Sequence, residues 1–424
     1  MCDNARMQIQ GGSWRQKFGI TSVSIVTLLF GFAGGFIVER QLVVHGTSNA
    51  LVGQAPPPSD VDFSPVWKAW KVVDEKFVPA SVASTTKVAT TTAGRNQERV
   101  WGMIGGMASA LGDPYTFFLP PQQNTDFNQD MSGSFDGVGM EIAVKNEVLT
   151  VVSPLKGNPA EKAGVKSGDK ILKINGESTK GMDVGVAVSK IRGKKGTFVK
   201  ILFMRDGWPE AKELSIERDV IVVPIVNTKK LPGGVFVISV ATFTSSAPDL
   251  FRNALREFAN SGGNKLILDL RGNPGGYLEA AVNMASWFLP AGKVVVTEDY
   301  NGHSANIIHR SQGYDVFTSN LKMVILVDKG SASASEILSD ALRFYGKAKL
   351  IGTNTFGKGS VQELVEITPE TSLKVTVARW LGPDGKQIPI EGIAPDIMST
   401  TSDELVKAGK DVQMDAAVKY LNSL

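Results

Sequence analysis

The sequence has 424 residues, with 45 Lys plus Arg against 42 Asp plus Glu and a formal net charge of +3. That length holds two or three domains with separate cores, and near-balanced charge without a dense Lys/Arg stripe argues against nucleic acid as a partner. A single cysteine, Cys2, excludes an internal disulfide and four-cysteine or two-cysteine–two-histidine zinc sites, while three histidines (His45, His303 and His309) without an HExxH pattern leave little room for metal chemistry.

Residues 1–17 are polar and carry Arg6, Arg15 and Lys17. Residues 18–38, FGITSVSIVTLLFGFAGGFIV, contain no charge. As a helix they would span roughly 31 Å, the thickness of a bilayer core. A single transmembrane anchor is expected here, with a cytoplasmic N-terminus because the basic residues precede the run. A cleaved signal peptide is the rival, but no small-x-small site directly follows. Residues 39–62, with Pro56-Pro57-Pro58, read as a stiff linker.

Residues 63–123 read as helical in two pieces. Val66, Trp67, Trp70, Val73 and Phe77 recur at helical spacing, and a second helix runs through Met103, Ile104, Met107 and Leu111 to a stop at Gly112-Asp113-Pro114. Core packing is the simplest role for these Trp and Met residues.

Residues 124–216 change to short strands and turns. Strands are expected at 138–142, 148–152 and 170–174, a short helix at 159–163, an Asn175-Gly176 turn, an amphipathic helix through Val184, Val188 and Ile191, and a final strand at 198–204. These residues resemble a PDZ domain, with Gly137-Val138-Gly139-Met140 standing where that family has its carboxylate-binding loop. A glycine-rich turn exposes successive backbone N–H groups to a terminal carboxylate, and the adjacent strand edge accepts an extended peptide.

Residues 217–405 are α/β. Apolar runs at 235–238, 266–270 and 323–327 read as buried strands, with helices at 247–258 and through Ala281, Met284 and Phe288. After the third run come Gly330-Ser331-Ala332-Ser333-Ala334-Ser335, a helix through Ile337, Leu338, Ala341, Leu342 and Tyr345, a short strand at 349–351, and a Gly-rich turn carrying Lys358. A hairpin is expected around Pro369-Glu370-Thr371. Residues 406–424 close the chain with an amphipathic helix.

Three serines at a helix start, with a lysine on a following loop, suggest a nucleophile and its base. His303 and His309 fall in a polar stretch, 300–313, that reads as an exposed loop, so a histidine base is disfavoured. A lysine base must lose its proton near neutral pH, which burial achieves. Lys358 has Phe356, two glycines and Val361 around it and no carboxylate nearby in sequence. Gly352-Thr353-Asn354-Thr355-Phe356-Gly357-Lys358 matches seven positions of a P-loop, but Gly359 stands where magnesium binding needs Ser or Thr, and a strand follows instead of a helix. Nucleotide binding is therefore discarded. The residues alone do not choose among Ser331, Ser333 and Ser335.

Ser331-Ala332-Ser333-Ala334-Ser335-Glu336, followed 25 residues after Ser333 by Lys358, resembles the carboxy-terminal processing (tail-specific) serine protease family with a PDZ domain. So do Asp269-Leu270-Arg271-Gly272-Asn273-Pro274-Gly275-Gly276, Leu111-Gly112-Asp113-Pro114-Tyr115-Thr116 and Gly392-Ile393-Ala394-Pro395-Asp396. The resemblance implies a multidomain α/β protein with a crotonase/Clp-protease-like catalytic core. It implies Ser333 as nucleophile, Lys358 as general base, Gln362 as the residue that orients the lysine, and an oxyanion hole from the amides of Ala334 and Gly275 or Gly276. It gives Ser331 and Ser335 structural roles, a turn residue and an N-cap. It also implies a peptide site at Gly137–Met140 of the PDZ domain that gates the protease, with Arg192 in the relay, and dimerisation through residues 63–123 and the C-terminal helix. No cofactor or metal is expected. The implied setting is a bacterial inner membrane, single-pass, with the catalytic part periplasmic, protein substrates bearing apolar C-terminal tails, and an adaptor protein as a further partner. The competing reading is an inactive PDZ scaffold that binds protein C-termini; an esterase using His303 or His309 is a third.

Overall fold

A computed structural model describes residues 60–78, 92–145, 147–222, 224–317, 320–400, 405 and 410–424. The apolar run at 18–38 and the linker up to residue 59 lie outside the described residues. Among the described residues no helix is long and apolar enough to cross a membrane.

Helix α1 (Ser64–Lys76), with Pro65 in its first turn, belongs to a unit separate from residues 88–424. Its apolar period is helical as expected, yet it carries no buried residue, and the Trp67 and Trp70 rings lie with their centres 6.4 Å apart. On α2 (Thr92–Ser109), Met103 and Met107 are exposed as well. Among the described residues none of these Trp and Met side chains is fully buried: helical spacing shows that a face is apolar but not what covers it.

Strand β1 (Phe117–Leu119) and helix α3 (Pro121–Ser132) follow, the helix ending on Gly133 in the left-handed region. Helix α3 crosses residues 123 and 124, so the helical segment and the next domain share it. Strand β2 (Ser134–Gly137) then leads into a small sheet of β3 (Met140–Lys145), β4 (Val148–Pro154), β5 (Lys170–Ile174), β7 (Phe198–Met204) and β8 (Lys212–Glu217), in that order. Short helix α4 (Pro159–Lys162), strand β6 (Glu177–Ser178, paired with β5) and helix α5 (Val184–Ile191) complete it. Asn175 (φ 50°) and Gly176 (φ 84°) form the expected tight turn. The strand at 198–204 is not the last: the more polar β8, with Lys and Glu facing out and Ile216 facing in, pairs with it. Leu149, Val151, Ile171, Ile201 and Phe203 fill the core, and Ala187 and Ile191 of α5 close it. Strand β9 (Asp219–Val222) returns to pair with β2.

The larger α/β region is built on six strands in the order β10 (Val226–Leu231), β11 (Val235–Val240), β12 (Lys265–Asp269), β15 (Lys322–Val327), β16 (Lys349–Gly352) and β19 (Ile397–Met398). All but the β10–β11 pair are parallel. The runs are apolar on both faces because both faces are covered. Phe236, Ile238, Leu266, Leu268, Ile325 and Val327 face α6 (Ala247–Asn260), α7 (Leu278–Ser286) and α8 (Ala334–Phe344). The alternate residues Val235, Val237, Ile267, Val324, Leu326 and Ile351 pack on Ala417 and Leu421 of the closing helix α9 (Val412–Ser423). A second sheet joins β13 (Val294–Asp299), β14 (Ile307–Arg310), β17 (Ser360–Thr368) and β18 (Thr371–Leu381) to β1. The expected hairpin is present as β17–β18, and β1 lies against β18 with Phe117 opposite Lys374.

Candidate active site

Strand β15 delivers the serine loop to the N-terminus of α8, beside the Asn273–Gly276 turn after β12. Two of the three serines have committed their hydroxyls. Ser331 Oγ donates to Leu270 O (2.8 Å) and accepts from Asp328 N, and Ser335 Oγ donates to Asn273 O (2.9 Å). Both are fully buried. Ser335 therefore does not cap α8 as expected; Ser333 occupies the cap position itself.

Ser333 has φ 54° and ψ −114°, a strained conformation for a residue with a Cβ, and it is only partly buried. Such strain between a buried strand and a helix lifts a nucleophile out of the turn. The Asn-Pro-Gly-Gly turn fits against it. A Cβ on Gly275 would lie 2.8 Å from Ser333 Cβ, and one on Gly276 would lie 2.3 Å from Phe243 O, so neither position admits a side chain. The Gly275 amide donates to Asn273 Oδ1 (2.9 Å). Among the described residues no hydrogen bond engages the Gly276 amide, which leaves it available beside the first-turn amide of Ala334.

Glu336 ties the nucleophile to the lysine loop, a role the sequence reasoning did not find. It is fully buried. Its Oε2 accepts from Ser333 N (2.8 Å) and Lys358 N (3.0 Å), and its Oε1 accepts from Thr355 Oγ1 (2.6 Å) and Gly357 N (2.7 Å). Four donors satisfy a buried carboxylate and fix both loops in one frame. The available signal was an acidic residue three positions after a candidate nucleophile. The Gly-Ile-Ala-Pro-Asp segment packs behind this frame, with Ile393 N donating to Thr355 Oγ1 (2.7 Å) and a Cβ on Gly392 blocked by Thr355 O at 2.1 Å.

Burial moves the Lys358 ammonium down from 10.5 to about 8, and the charge of Lys374 acts in the same direction. Glu336 and Asp113 oppose this. Carboxylates absent from the local sequence are thus present in space, but burial outweighs them. The Lys358 ammonium also lies 5.6 Å from the centre of the Tyr115 ring.

Gln362 lines the same cleft. Its Nε2 donates to Ser360 Oγ (2.8 Å) and Thr376 Oγ1 (3.2 Å), and Thr376 Oγ1 donates to Asp113 Oδ2 (2.5 Å). Asp113 also accepts from Thr116 Oγ1 (2.6 Å) and Tyr115 N (3.1 Å). The Leu-Gly-Asp-Pro-Tyr-Thr segment therefore works inside the catalytic core. Among the described residues no hydrogen bond joins the Lys358 ammonium to Ser333 Oγ or to Gln362. Ser333, Lys358, Gln362, Gly275 and Gly276 share one cleft of about 830 Å³, whose wall includes Phe127, Asp130 and Met131 of α3.

His309 bonds a residue of the cleft wall instead of the serine. Its Nε2 lies 2.6 Å from Glu298 Oε1 across β13 and β14, so residues 307–310 form a strand where an exposed loop was expected. Among the described residues no group of three or more His, Cys, Asp or Glu could hold a metal ion.

In the small domain, among the described residues β3 pairs only with β4, which leaves its other edge without a strand partner there. Val138 and Gly139 link β2 to β3, with Gly139 at φ 71°, and no hydrogen bond among the described residues uses their amides. Gly137 ends β2 and Met140 starts β3. Arg192 caps the C-terminus of α5 and reaches α3: its Nη2 lies 2.9 Å from Asp130 Oδ1, and its guanidinium sits 4.4 Å above the Phe135 ring. Its Nε is buried without a hydrogen-bond partner.

The sequence matches the family model of peptidase family S41 over residues 234–399 and that of the PDZ domain over residues 127–203. The "Carboxy-terminal processing protease CtpA" of Bacillus subtilis (strain 168) is 35% identical over 362 residues, covering 85% of this chain and 74% of its own. The "Probable CtpA-like serine protease" of Staphylococcus aureus (strain N315) is 41% identical over 298 residues, 70% of this chain and 59% of that one. A solved S41 protease structure from Bacteroides fragilis NCTC 9343 superposes with a TM-score of 0.52 at 17% identity, over 87% of this chain and 99% of that one, a likeness of fold alone.

Proposed function

This chain belongs to peptidase family S41, among the carboxy-terminal processing serine proteases, and on that premise we propose that Ser333 and Lys358 perform the hydrolysis. The observation that carries this reading is the pairing of a strained serine with a lysine whose pKa burial lowers to about 8, both in one cleft, the neighbouring serines being committed elsewhere.

Neutral Lys358 Nζ takes the Ser333 Oγ proton as Oγ attacks the scissile carbonyl. The amides of Ala334 and Gly276 hold the oxyanion, helped by the α8 N-terminus. The Lys358 ammonium then protonates the leaving amine, and water attacks the acyl-enzyme with Lys358 again as base. Gln362 orients the lysine once substrate closes the cleft.

Substrates are proteins with apolar C-terminal tails. The tail adds to the β3 edge with its carboxylate on the Val138 and Gly139 amides, and Arg192 passes that event to α3 through Asp130. The uncharged run at 18–38 anchors the chain in a bacterial inner membrane with its catalytic part outside the cytoplasm. The exposed apolar faces of α1 and α2 serve self-association, and an adaptor presents substrates.

Degradation of an unstructured protein with an apolar tail tests the chemistry. Ser333→Ala and Lys358→Ala should each reduce kcat/KM at least a thousandfold, while a His303/His309 double variant stays near wild type. Wild-type kcat/KM should climb as pH rises through about 8, where Lys358 loses its proton. Full cleavage by Ser333→Ala would sink the reading.

A further inference from the structure

The cleft holds a second lysine that neither the family motifs nor the proposed chemistry uses. Lys374 lies on β18, opposite Phe117 of β1 and Leu364 of β17, and lines the same cleft as Ser333 and Lys358. Its neighbour on the same strand face, Thr376, is the residue that bonds Gln362 and Asp113. Its ammonium lies 5.3 Å from the centre of the Phe117 ring and 5.3 Å from that of Phe127. Among the described residues no carboxylate comes within ion-pair distance of it.

This surrounding has a specific electrostatic consequence. A carboxylate partner would stabilise the ammonium and cancel its field. Burial pushes its own ammonium below the usual lysine range, while the two aromatic faces favour the cation through their quadrupoles and, carrying no net charge, do not cancel its field. We propose that Lys374 is a positioning residue for the hydrolysis, a cation set between Phe117 and Phe127 in the catalytic cleft whose repulsion shifts Lys358 toward the neutral form a general base requires. This rests on Lys358 being the base.

The other charges around Lys358 make the balance clear. Glu336 of α8 and Asp113 of the loop before β1 favour its charged form, and Lys374 opposes them alongside burial. Glu279 of α7, Glu298 of β13, Glu363 of β17 and Asp130 of α3 also line the cleft. A base with two carboxylates in its field and no opposing cation would hold its proton at higher pH. A neighbouring cation is an established way to depress a catalytic lysine.

The test is the pH dependence of Ser333 acylation by a small fluorophosphonate, which reads activation of the nucleophile without peptide binding, together with kcat/KM on an unstructured protein. The variants are Lys374→Met, Lys374→Arg and Lys358→Ala in the full chain, each checked by thermal melting. Lys374→Met should move the rising limb of both profiles to higher pH by about half a unit to one unit. Lys374→Arg, which keeps the charge, should leave the limb where wild type has it, and it carries the test if the methionine variant does not fold: a limb displaced by arginine would then overturn the proposal. An unmoved limb in Lys374→Met overturns it, including the case in which only KM rises and Lys374 is a substrate contact. Acylation retained by Lys358→Ala would remove the base itself and the proposal with it, whereas acylation lost there beside an unmoved Lys374→Met limb removes the role of Lys374 alone.

Discussion

Asp340 sits two turns along α8 from Ser333, with Asp384 and Arg343 as its charged neighbours. Burial, reinforced by Asp384, raises its carboxyl from 3.8 to about 6. The folded chain therefore binds a proton that the unfolded chain has released between about pH 4 and pH 6, and stability falls as pH rises through that window. Asp340→Asn should be more stable than wild type at pH 7 by about 2 kcal/mol, with the gap closing below pH 4. Urea denaturation at pH 4 and pH 7 checks this; an equal gap at both would assign the effect to packing. Lys358 shows the opposite bias: burial depresses a base that repulsion from Lys374 also disfavours as a cation. Both residues carry a folding penalty, but only the lysine's is tied to a chemical role.

At the scale of elements, α3 is the piece on which two domains meet. Its Phe127, Asp130 and Met131 line the catalytic cleft, its Asn124 Nδ2 bonds Glu370 O in the β17–β18 turn (3.2 Å), and its Asp130 receives Arg192 from the end of α5. A displacement of α5 by a peptide on the neighbouring β3 edge therefore has a physical route to the cleft wall. A double-mutant cycle on Arg192→Ala and Asp130→Ala measures it, reading the ratio of kcat/KM for a tailed over a tail-less substrate. Each single variant should lower that ratio several-fold, and the double variant should lower it no further. Additive losses would mean that the two side chains act separately.

For the whole molecule, the sequence places an uncharged span, a proline-containing linker, a peptide-binding domain and a protease core in one order. That order suits an anchored protease whose cleft is fed by protein tails. The full chain should stay with membranes after alkaline carbonate extraction, and a chain lacking residues 1–38 should be released. Release of the full chain would refute the anchor.

The sequence by itself determined the parallel strands, because β11, β12 and β15 are apolar at successive central positions and only doubly covered strands need that. It determined most of the small domain through its Gly turns and strand alternation, whereas Ser333, Lys358 and Gln362 were implied together only by the resemblance of its motifs to a protease family. It did not reveal the polar β8, the strand at 307–310, or what covers the apolar faces of α1 and α2, because local period reports a face and not its neighbour. Tertiary structure alone decided which hydroxyl is free: Ser331 and Ser335 are bonded to carbonyls 61 and 62 residues away. It also brought Glu336 onto the amides of both Ser333 and Lys358 and set Asp113 and Lys374 as opposing charges around the base. The physical reason is the same in each case. Hydrogen bonds, burial and electric fields act across space, and chain order does not encode which distant segments share that space.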